Sequence, residues 1–300
     1  MQQYHPLIDP YNRRIRSLRI SVTNRCNLNC IYCHHEGEPA HAQSEIGRDT
    51  IISLVHAALD HDVRRIKFTG GEPLLRSDLA DIIGELPRLD EISVTTNGTL
   101  LPKYACDLAS AGLHRVNISL DTLHPERYRM ITGSDMLDTV LDGVHAAADA
   151  GLTPIKLNMV LLNGINDDEI WDLIEFTRSY RDVILQIIEL LDFAGICEPV
   201  DMDAVEDTLR ARASRIITRS LHRRRKYLIS GAEVELVRPI DNSEFCAHCN
   251  RLRVTSDGKL KGCLLSNENL VDISHAPEEE MHALLEKAVA MRKPYYSSDG

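Results

Sequence analysis

Cys26, Cys30 and Cys33 stand in a C-x3-C-x2-C spacing. Three thiolates so placed can hold three irons of a four-iron cluster and leave the fourth bare. A fully ligated cluster takes four cysteines and mainly carries electrons. A vacant iron can bind a ligand and do chemistry on it, as an open position does in other metal sites. A zinc site is the competing reading, with His34 or His35 completing a Cys3His set. Zinc more often pairs C-x2-C with a second pair or with histidines.

A second group follows far along the chain, Cys246-x2-Cys249-x13-Cys263. It again offers three thiolates and again leaves one iron without a protein ligand. A zinc knuckle completed by His248 or His222 is equally compatible with this half alone. Between the two groups lies Thr69-Gly70-Gly71-Glu72-Pro73. Its glycines let the backbone approach a ligand closely, and Glu72 can accept hydrogen bonds from a ligand ammonium. Alone this would be an ordinary turn, but it falls one βα unit after the cysteine loop.

The elements that position these residues alternate. The spacing predicts strands at Leu18–Thr23, Arg65–Thr69, Glu91–Thr96, Arg115–Leu120, Ile155–Leu162 and Ile184–Leu190. Helices are expected at Arg48–Asp60, Asp78–Leu86, Pro102–Ala111, Met136–Ala150, Asp167–Tyr180 and Asp203–Arg212, with Gly112 and Gly151 where helix-ending glycines belong. Strict βα alternation implies an α/β fold with a parallel sheet. Six units are too few for a closed eight-stranded barrel, so a partial (βα)6 TIM-like barrel is expected, with ligands at the C-terminal strand ends. The division is a barrel at residues 1–200 and a smaller extension at 201–300. The extension carries the second cysteine group, short strands at Arg215–Ile217 and Val234–Val237 and a helix at Pro277–Met291, and it should cover the barrel mouth.

Composition narrows the setting. Hydrophobic residues make up 43% of the chain, enough for a sizeable core. No apolar run reaches the eighteen or so residues a membrane span needs, and the first residues lack a secretory apolar stretch. Six of eight cysteines sit in two tight groups, which suggests metal binding in a reducing cytoplasm rather than disulfides. Cys106 reads as a buried small residue and Cys197 as a loop residue, neither with a role. The net charge of −11 argues against non-specific nucleic-acid binding. The basic run Leu221 to Lys226 reads as a solvated turn or strand edge. Arginines can still hold an anion inside an acidic protein. Arg19, Arg65, Lys67 and Lys156 lie on inner strands or their ends, and Arg251 and Arg253, spaced i, i+2, face one side of any strand.

Taken together, the cysteine loop and the Gly-Gly-Glu-Pro turn resemble the radical S-adenosylmethionine (SAM) superfamily. The resemblance implies a [4Fe-4S] cluster on Cys26, Cys30 and Cys33. Its open iron would chelate the amino and carboxylate groups of SAM, and one electron would cleave SAM to a 5′-deoxyadenosyl radical. Tyr32 would lie beside the adenine, Gly71, Glu72 and Ser119 would line the SAM site, and Leu191 would pack on the cofactor. Nearly the whole chain is similar to the GTP 3′,8-cyclase family of molybdenum cofactor biosynthesis. The likeness rests on LRISVT before the first group, TGGEPLLR at 69–76, TTNG at 95–98, NISLDTL at 117–123, GIND at 164–167 and Phe245 to Cys263 with its C-x2-C-N-R-L-R run. It implies a second [4Fe-4S] cluster on Cys246, Cys249 and Cys263, whose open iron meets the guanine. It places Arg19, Lys67, Thr95, Lys156, Arg251 and Arg253 at GTP, with Arg65 among the same inner cations. The reaction would join ribose C3′ to guanine C8, giving 3′,8-cyclo-7,8-dihydro-GTP. A flavodoxin- or ferredoxin-like reductant and a cyclic pyranopterin monophosphate synthase downstream are the implied protein partners, and a homodimer is left open.

Two departures from the family pattern stand out. Many members carry an arginine where Gln186 stands, so phosphate grip here must rest on other cations. Many end in a Gly-Gly tail, whereas this sequence ends Tyr295-Tyr296-Ser297-Ser298-Asp299-Gly300. Members of archaeal type lack the double glycine and carry C-H-x-E-G after the third cysteine, which Cys33 to Gly37 matches. A radical SAM enzyme acting on a peptide is the competing enzyme reading, and a zinc or electron-transfer module the non-enzymatic one. The first is disfavoured by the small extension and the Arg251/Arg253 pair, the second by the Gly-Gly-Glu motif.

Overall fold

The computed structural model describes residues 4–38, 44–191, 195–240 and 242–295. The C-terminal residues 296–300, where the tail departs from the family pattern, lie outside them.

Six βα units come first. Strands β1 (Ser17–Ser21), β2 (Arg65–Thr69), β3 (Glu91–Thr96), β4 (Arg115–Ser119), β5 (Ile155–Val160) and β6 (Val183–Ile188) pair in chain order, all parallel. Between them run α1 (Arg48–Asp60), α2 (Leu79–Glu85), α3 (Leu101–Ser110), α4 (Pro125–Thr132), α5 (Leu137–Asp149) and α6 (Ile170–Arg178). The later chain adds α7 (Met202–Arg212), β7 (Arg215–Thr218), β8 (Arg225–Ile229), β9 (Ala232–Val237), α8 (Ser243–Ala247), β10 (Arg251–Val254), β11 (Lys259–Lys261), β12 (Val271–Asp272) and α9 (Met281–Ala290). The result is a mixed α/β fold on one twelve-stranded sheet, ordered β12-β11-β10-β1-β2-β3-β4-β5-β6-β9-β8-β7.

The later chain therefore joins the sheet itself. Strand β10 pairs parallel with β1, and β9 pairs parallel with β6. The six sequential strands become eight parallel ones, with antiparallel ribbons beyond both edges. The four residues of RLRV are too short a window for alternation alone to fix a strand. Their pairing is supplied by β1, more than two hundred residues away.

A parallel sheet ordinarily buries apolar residues on both faces. Here the two faces differ sharply. Leu18, Ile20, Ile66, Phe68, Val116, Ile118, Leu157, Met159, Leu185 and Ile187 form the buried core with residues of α1, α2, α3 and α5. The intervening residues include Arg19, Lys67, Asn117, Lys156, Asn158 and Gln186, and all of these line a cavity on the other face. Period-two alternation thus sorts apolar side chains to the helices and charge to the cavity.

Candidate active site

The cavity has a volume of about 960 Å³, at the upper end of the range for small-molecule sites. Thirteen arginines and lysines line it against three glutamates, although the whole chain is acidic. Register explains part of this. Arg253, Arg19 and Lys67 are partners across β10, β1 and β2, and Arg251, Ser17 and Arg65 are partners two residues earlier. The i, i+2 spacing of Arg251 and Arg253 does put both on one side, as expected.

Of the residues singled out from sequence, Arg19, Arg65, Lys67, Thr95, Lys156, Arg251, Arg253, Tyr32, Ser119 and Leu191 all line this cavity. So do Cys246, Cys249 and Cys263. Cys26, Cys30 and Cys33 stand just outside its lining, but Tyr32 and His34, on either side of Cys33, belong to it. The two cysteine groups thus approach one space. The Cys33–Gly37 loop also docks onto the second group's surroundings. Gly37 takes φ +68° with its carbonyl on the Lys261 ammonium at 2.6 Å, and a Cβ there would lie 2.2 Å from the Leu264 carbonyl.

Glu72 and Gly71 do not line the cavity. Glu72 is fully buried, and its carboxylate accepts from the Leu74 amide (2.9 Å), the Thr96 hydroxyl (2.8 Å) and the Asn97 amide (2.7 Å). Burial raises its pKa to about 7 despite these donors. The close approach that the glycines allow is to the protein's own chain. A Cβ on Gly71 would lie 2.3 Å from the Arg25 carbonyl, and one on Gly70 2.2 Å from that of Thr23. The turn therefore braces the backbone just before Cys26.

Tyr32 is anchored through its hydroxyl, which donates to Asp121 at 2.6 Å, while Asp121 also accepts from the Val160 amide at 2.8 Å. Burial lifts the Asp121 pKa to about 6. Lys67 donates to Asn117 at 2.9 Å, and burial next to Arg115, Arg19 and Arg251 pushes its pKa well below the usual lysine range.

Several site residues were not legible. Glu36 meets Arg19 at 2.7 Å, Arg253 at 3.0 Å and the Thr69 hydroxyl at 2.9 Å. Burial opposes its ionisation, yet the two arginines bring its pKa down to about 2. The C-H-x-E-G run pointed at Glu36 without giving it partners. Glu235, wholly buried, holds Lys156 (3.0 Å), Arg219, Arg224 (3.6 Å) and Gln186 (2.5 Å). This corrects in part the reading of the Leu221–Lys226 run as a solvated turn or strand edge: its last two residues open β8, but the turn before them is not wholly solvated. Its His222 is buried and its Arg224 half-buried in the cavity wall, with His222 stacked on Phe245 at 3.7 Å, while Arg223 and Arg225 face solvent. Tertiary pairing with Glu235 outweighs the usual exposure of arginine.

The donor sets suit iron–sulfur clusters. Both are all-thiol, the soft chemistry such clusters select. Although burial works against it, Arg292, Arg251 and Arg253 lower the Cys249 pKa and favour the thiolate. Burial raises those of Cys26, Cys30 and Cys33, so binding there must be coupled to proton release. Among the described residues no three His, Cys, Asp or Glu side chains converge on one ion-sized point. His248 faces outward, its ring nitrogen on the Glu244 carbonyl at 2.9 Å.

A sheet of this topology, with a C-x3-C-x2-C loop after its first strand, is that of a radical SAM protein. Residues 20–177 match the radical SAM superfamily model, and residues 184–298 match the model described as Molybdenum Cofactor Synthesis C. The probable GTP 3′,8-cyclase of Methanosarcina mazei is 52% identical over 97% of this chain and 90% of its own length. That of Archaeoglobus fulgidus is 48% identical over 97% of this chain and 99% of its own. The chain belongs to the GTP 3′,8-cyclase family of the radical SAM superfamily. Among solved structures, Streptococcus suis SuiB aligns over 91% of this chain and 67% of its own with a TM-score of 0.65 at 14% identity. Native anSMEcpe with bound AdoMet aligns over 88% of this chain and 79% of its own with a TM-score of 0.59 at 16% identity. At those identities the likeness is one of fold.

Proposed function

We propose that this protein is a GTP 3′,8-cyclase. It cyclises GTP to (8S)-3′,8-cyclo-7,8-dihydroguanosine 5′-triphosphate, the first step of molybdenum cofactor biosynthesis. One observation carries the reading: an acidic chain concentrates cations in a single cavity that both cysteine groups approach. A triphosphate is the substrate feature that calls for so many convergent cations.

Cys26, Cys30 and Cys33 would hold one [4Fe-4S] cluster, and Cys246, Cys249 and Cys263 the other. When bound, the first cluster together with SAM supplies the one-electron chemistry that starts the reaction. The chain's own residues do the rest by positioning. Tyr32, fixed by Asp121, gives SAM a rigid aromatic wall beside Ser119 and Leu191. Glu72 and Gly71 act through the backbone they brace. Arg19, Arg65, Lys67, Lys156, Arg251 and Arg253, with Thr95, bind the nucleotide and exclude water from its phosphates.

The same reading takes the parallel strands as the wall of a partial barrel, because every one of β1 to β6 contributes to one cavity. It keeps residues 1–200 as the radical SAM unit and 201–300 as the extension. No described helix is long and apolar enough to cross a membrane, and we place the reaction in the cytoplasm, with a small electron-transfer protein as reductant and a cyclic pyranopterin monophosphate synthase as recipient of the product.

The test is anaerobic turnover of reconstituted protein with SAM, GTP and a reductant, with products identified by mass spectrometry. The reading expects about eight irons per chain if both clusters are of the four-iron type, and the formation of 5′-deoxyadenosine together with the cyclised nucleotide. Deoxyadenosine formed at the same rate without GTP, and no cyclised product, would refute it.

A further inference from the structure

The β7–β8 connection brings two arginines into the cavity wall that no sequence motif assigns. Arg219 and Arg224 close this turn, with the Arg219 amide donating to the Arg224 carbonyl at 2.8 Å. Both guanidiniums line the cavity beside Lys156. Behind them stands the wholly buried Glu235, which meets Lys156, Arg219 and, at 3.6 Å, Arg224. Gln186 donates to the same carboxylate at 2.5 Å, and its own oxygen accepts from Asn117 at 3.5 Å.

Charge and hydrogen bonding are both left open here. Three cations share one buried carboxylate, so the corner keeps an excess of positive charge, which is costly where Lys156 and Arg224 are largely shielded from water unless a further anion arrives. The Arg224 Nε is buried and has no hydrogen-bond partner. An unpaired guanidinium donor of this kind costs free energy until something accepts from it. An anion with several oxygens and more than one negative charge satisfies both demands, and the planar arginine fork suits phosphoryl oxygens. The neutral Gln186 contributes no charge of its own, but its bond to Glu235 helps hold the carboxylate in place.

We propose that Arg219 and Arg224, set by Glu235, form with Lys156 a subsite for the outer phosphoryl groups of the nucleotide, and that this subsite makes the chain select triphosphate over shorter nucleotides. The proposal rests on the cyclase reading and names the part of that site which discriminates phosphate number.

The test is equilibrium binding of GTP, GDP, GMP and guanosine to the anaerobically reconstituted protein without SAM or reductant, so that no turnover occurs. Arg224→Gln is expected to weaken GTP about ten- to a hundredfold, the range for losing one charge-assisted contact, while guanosine and GMP change less than about twofold. Arg224→Lys should fall between, keeping charge but losing the fork. Gln186→Arg placed on Arg224→Gln should recover part of the GTP affinity, because it returns a guanidinium to the same carboxylate. An equal loss for GTP, GMP and guanosine would make Arg224 a structural residue and overturn the proposal. So would an unchanged ratio of GTP to GMP affinity in a variant that keeps the wild-type circular dichroism and cluster absorbance. Wild-type protein that binds no guanine nucleotide at all would overturn the cyclase reading, and this subsite with it.

Discussion

Asp9 is the residue whose removal should be felt furthest from where it sits. Its carboxylate is wholly buried and accepts from Arg13 at 2.6 Å and from Arg292 at 2.7 Å. These arginines reach on to the backbone of the second cysteine group. Arg13 donates to the Cys246 carbonyl at 3.1 Å, and Arg292 to those of Cys249 at 3.3 Å and Gly262 at 3.5 Å. Asp9→Asn keeps the shape and removes the charge, leaving two buried guanidiniums on a neutral amide. Breaking a buried pair from one side costs about 3–5 kcal/mol. Because both arginines retain carbonyl acceptors, the lower end applies, about 3 kcal/mol. That is a large share of a total stability of about 5–15 kcal/mol, and at about 2–4 °C per kcal/mol it lowers Tm by roughly 6–12 °C. Outer-shell changes also weaken metal sites by about 10- to 100-fold. Iron content after reconstitution should therefore fall from about eight towards about four per chain, with the SAM-responsive EPR signal of the first cluster retained. The control is Asp62→Asn. Asp62 also meets two arginines, Arg14 and Arg64, but at the surface, where such pairs are worth at most about 1 kcal/mol. If Asp9→Asn matches Asp62→Asn in both Tm and iron content, the reasoning about this tether is wrong.

Glu36→Gln should lower the Tm of the nucleotide-free protein, since Arg19 and Arg253 then face each other without their shared carboxylate, and GTP should raise Tm more in the variant than in the wild type; equal thermal shifts would refute this. Lys156 has its pKa lowered to about 7 by burial, with Arg219 and Arg224 adding to the effect against Glu235. An anion favours its protonated form, so GTP affinity should fall as pH rises through about 7, and titration calorimetry across pH 6.5–8.5 should find that slope missing in Lys156→Gln. Its stability term has the opposite sense: the folded state holds fewer protons than the unfolded between about 7 and the ordinary lysine range, so the cost present at lower pH recedes as pH rises. Glu72, raised to about 7, is protonated in the fold where it would be ionised in the unfolded chain, so it makes stability fall as pH rises from the ordinary glutamate range to about 7. Urea denaturation of Glu72→Gln should show that slope reduced, at the cost of one lost acceptor opposite the Asn97 amide, about 1–3 kcal/mol.

Much of this was readable before any coordinates. The six strands and every helix between them except α4 announced themselves, because alternating and helical periodicities are properties of short windows. The strand expected at Arg65–Thr69 agrees with β2 end to end, and the helix expected at Arg48–Asp60 agrees with α1. Helix α4, inside HPERYRMIT, was missed because its polar residues leave no apolar stripe to count; only Tyr128, Ile131 and Thr132 are buried. Strands β8 and β10 to β12 were missed for a different reason. They run only two to five residues, too few for a period to show; β10 takes its partner from β1 far back in the chain, while β8, β11 and β12 pair with near neighbours in antiparallel ribbons. Type and spacing singled out the two cysteine groups and the cations of the first strands, and those cations do line one cavity; Cys106, expected buried, is exposed. What could not be read was which acid each cation meets.

Those acids organise the site. Asp9 joins Arg13 to Arg292, Glu36 joins Arg19 to Arg253, and Glu235 gathers Lys156, Arg219 and Arg224. Each carboxylate ties together cations from segments far apart in the chain, and each is almost or wholly buried. A cavity meant for a polyanion faces a contradiction, because the like charges that attract the ligand repel one another until it arrives. One carboxylate behind each group of two or three cations resolves this. It lowers the repulsion in the free protein and fixes the side chains in place, yet leaves a surplus of positive charge. Preorganisation of this kind is where affinity is gained, since fewer side chains must be ordered on binding. The same logic explains why the chain can be acidic overall and still hold nucleotide: what matters is the local excess of cation over its buried counter-ion, and net charge does not report it.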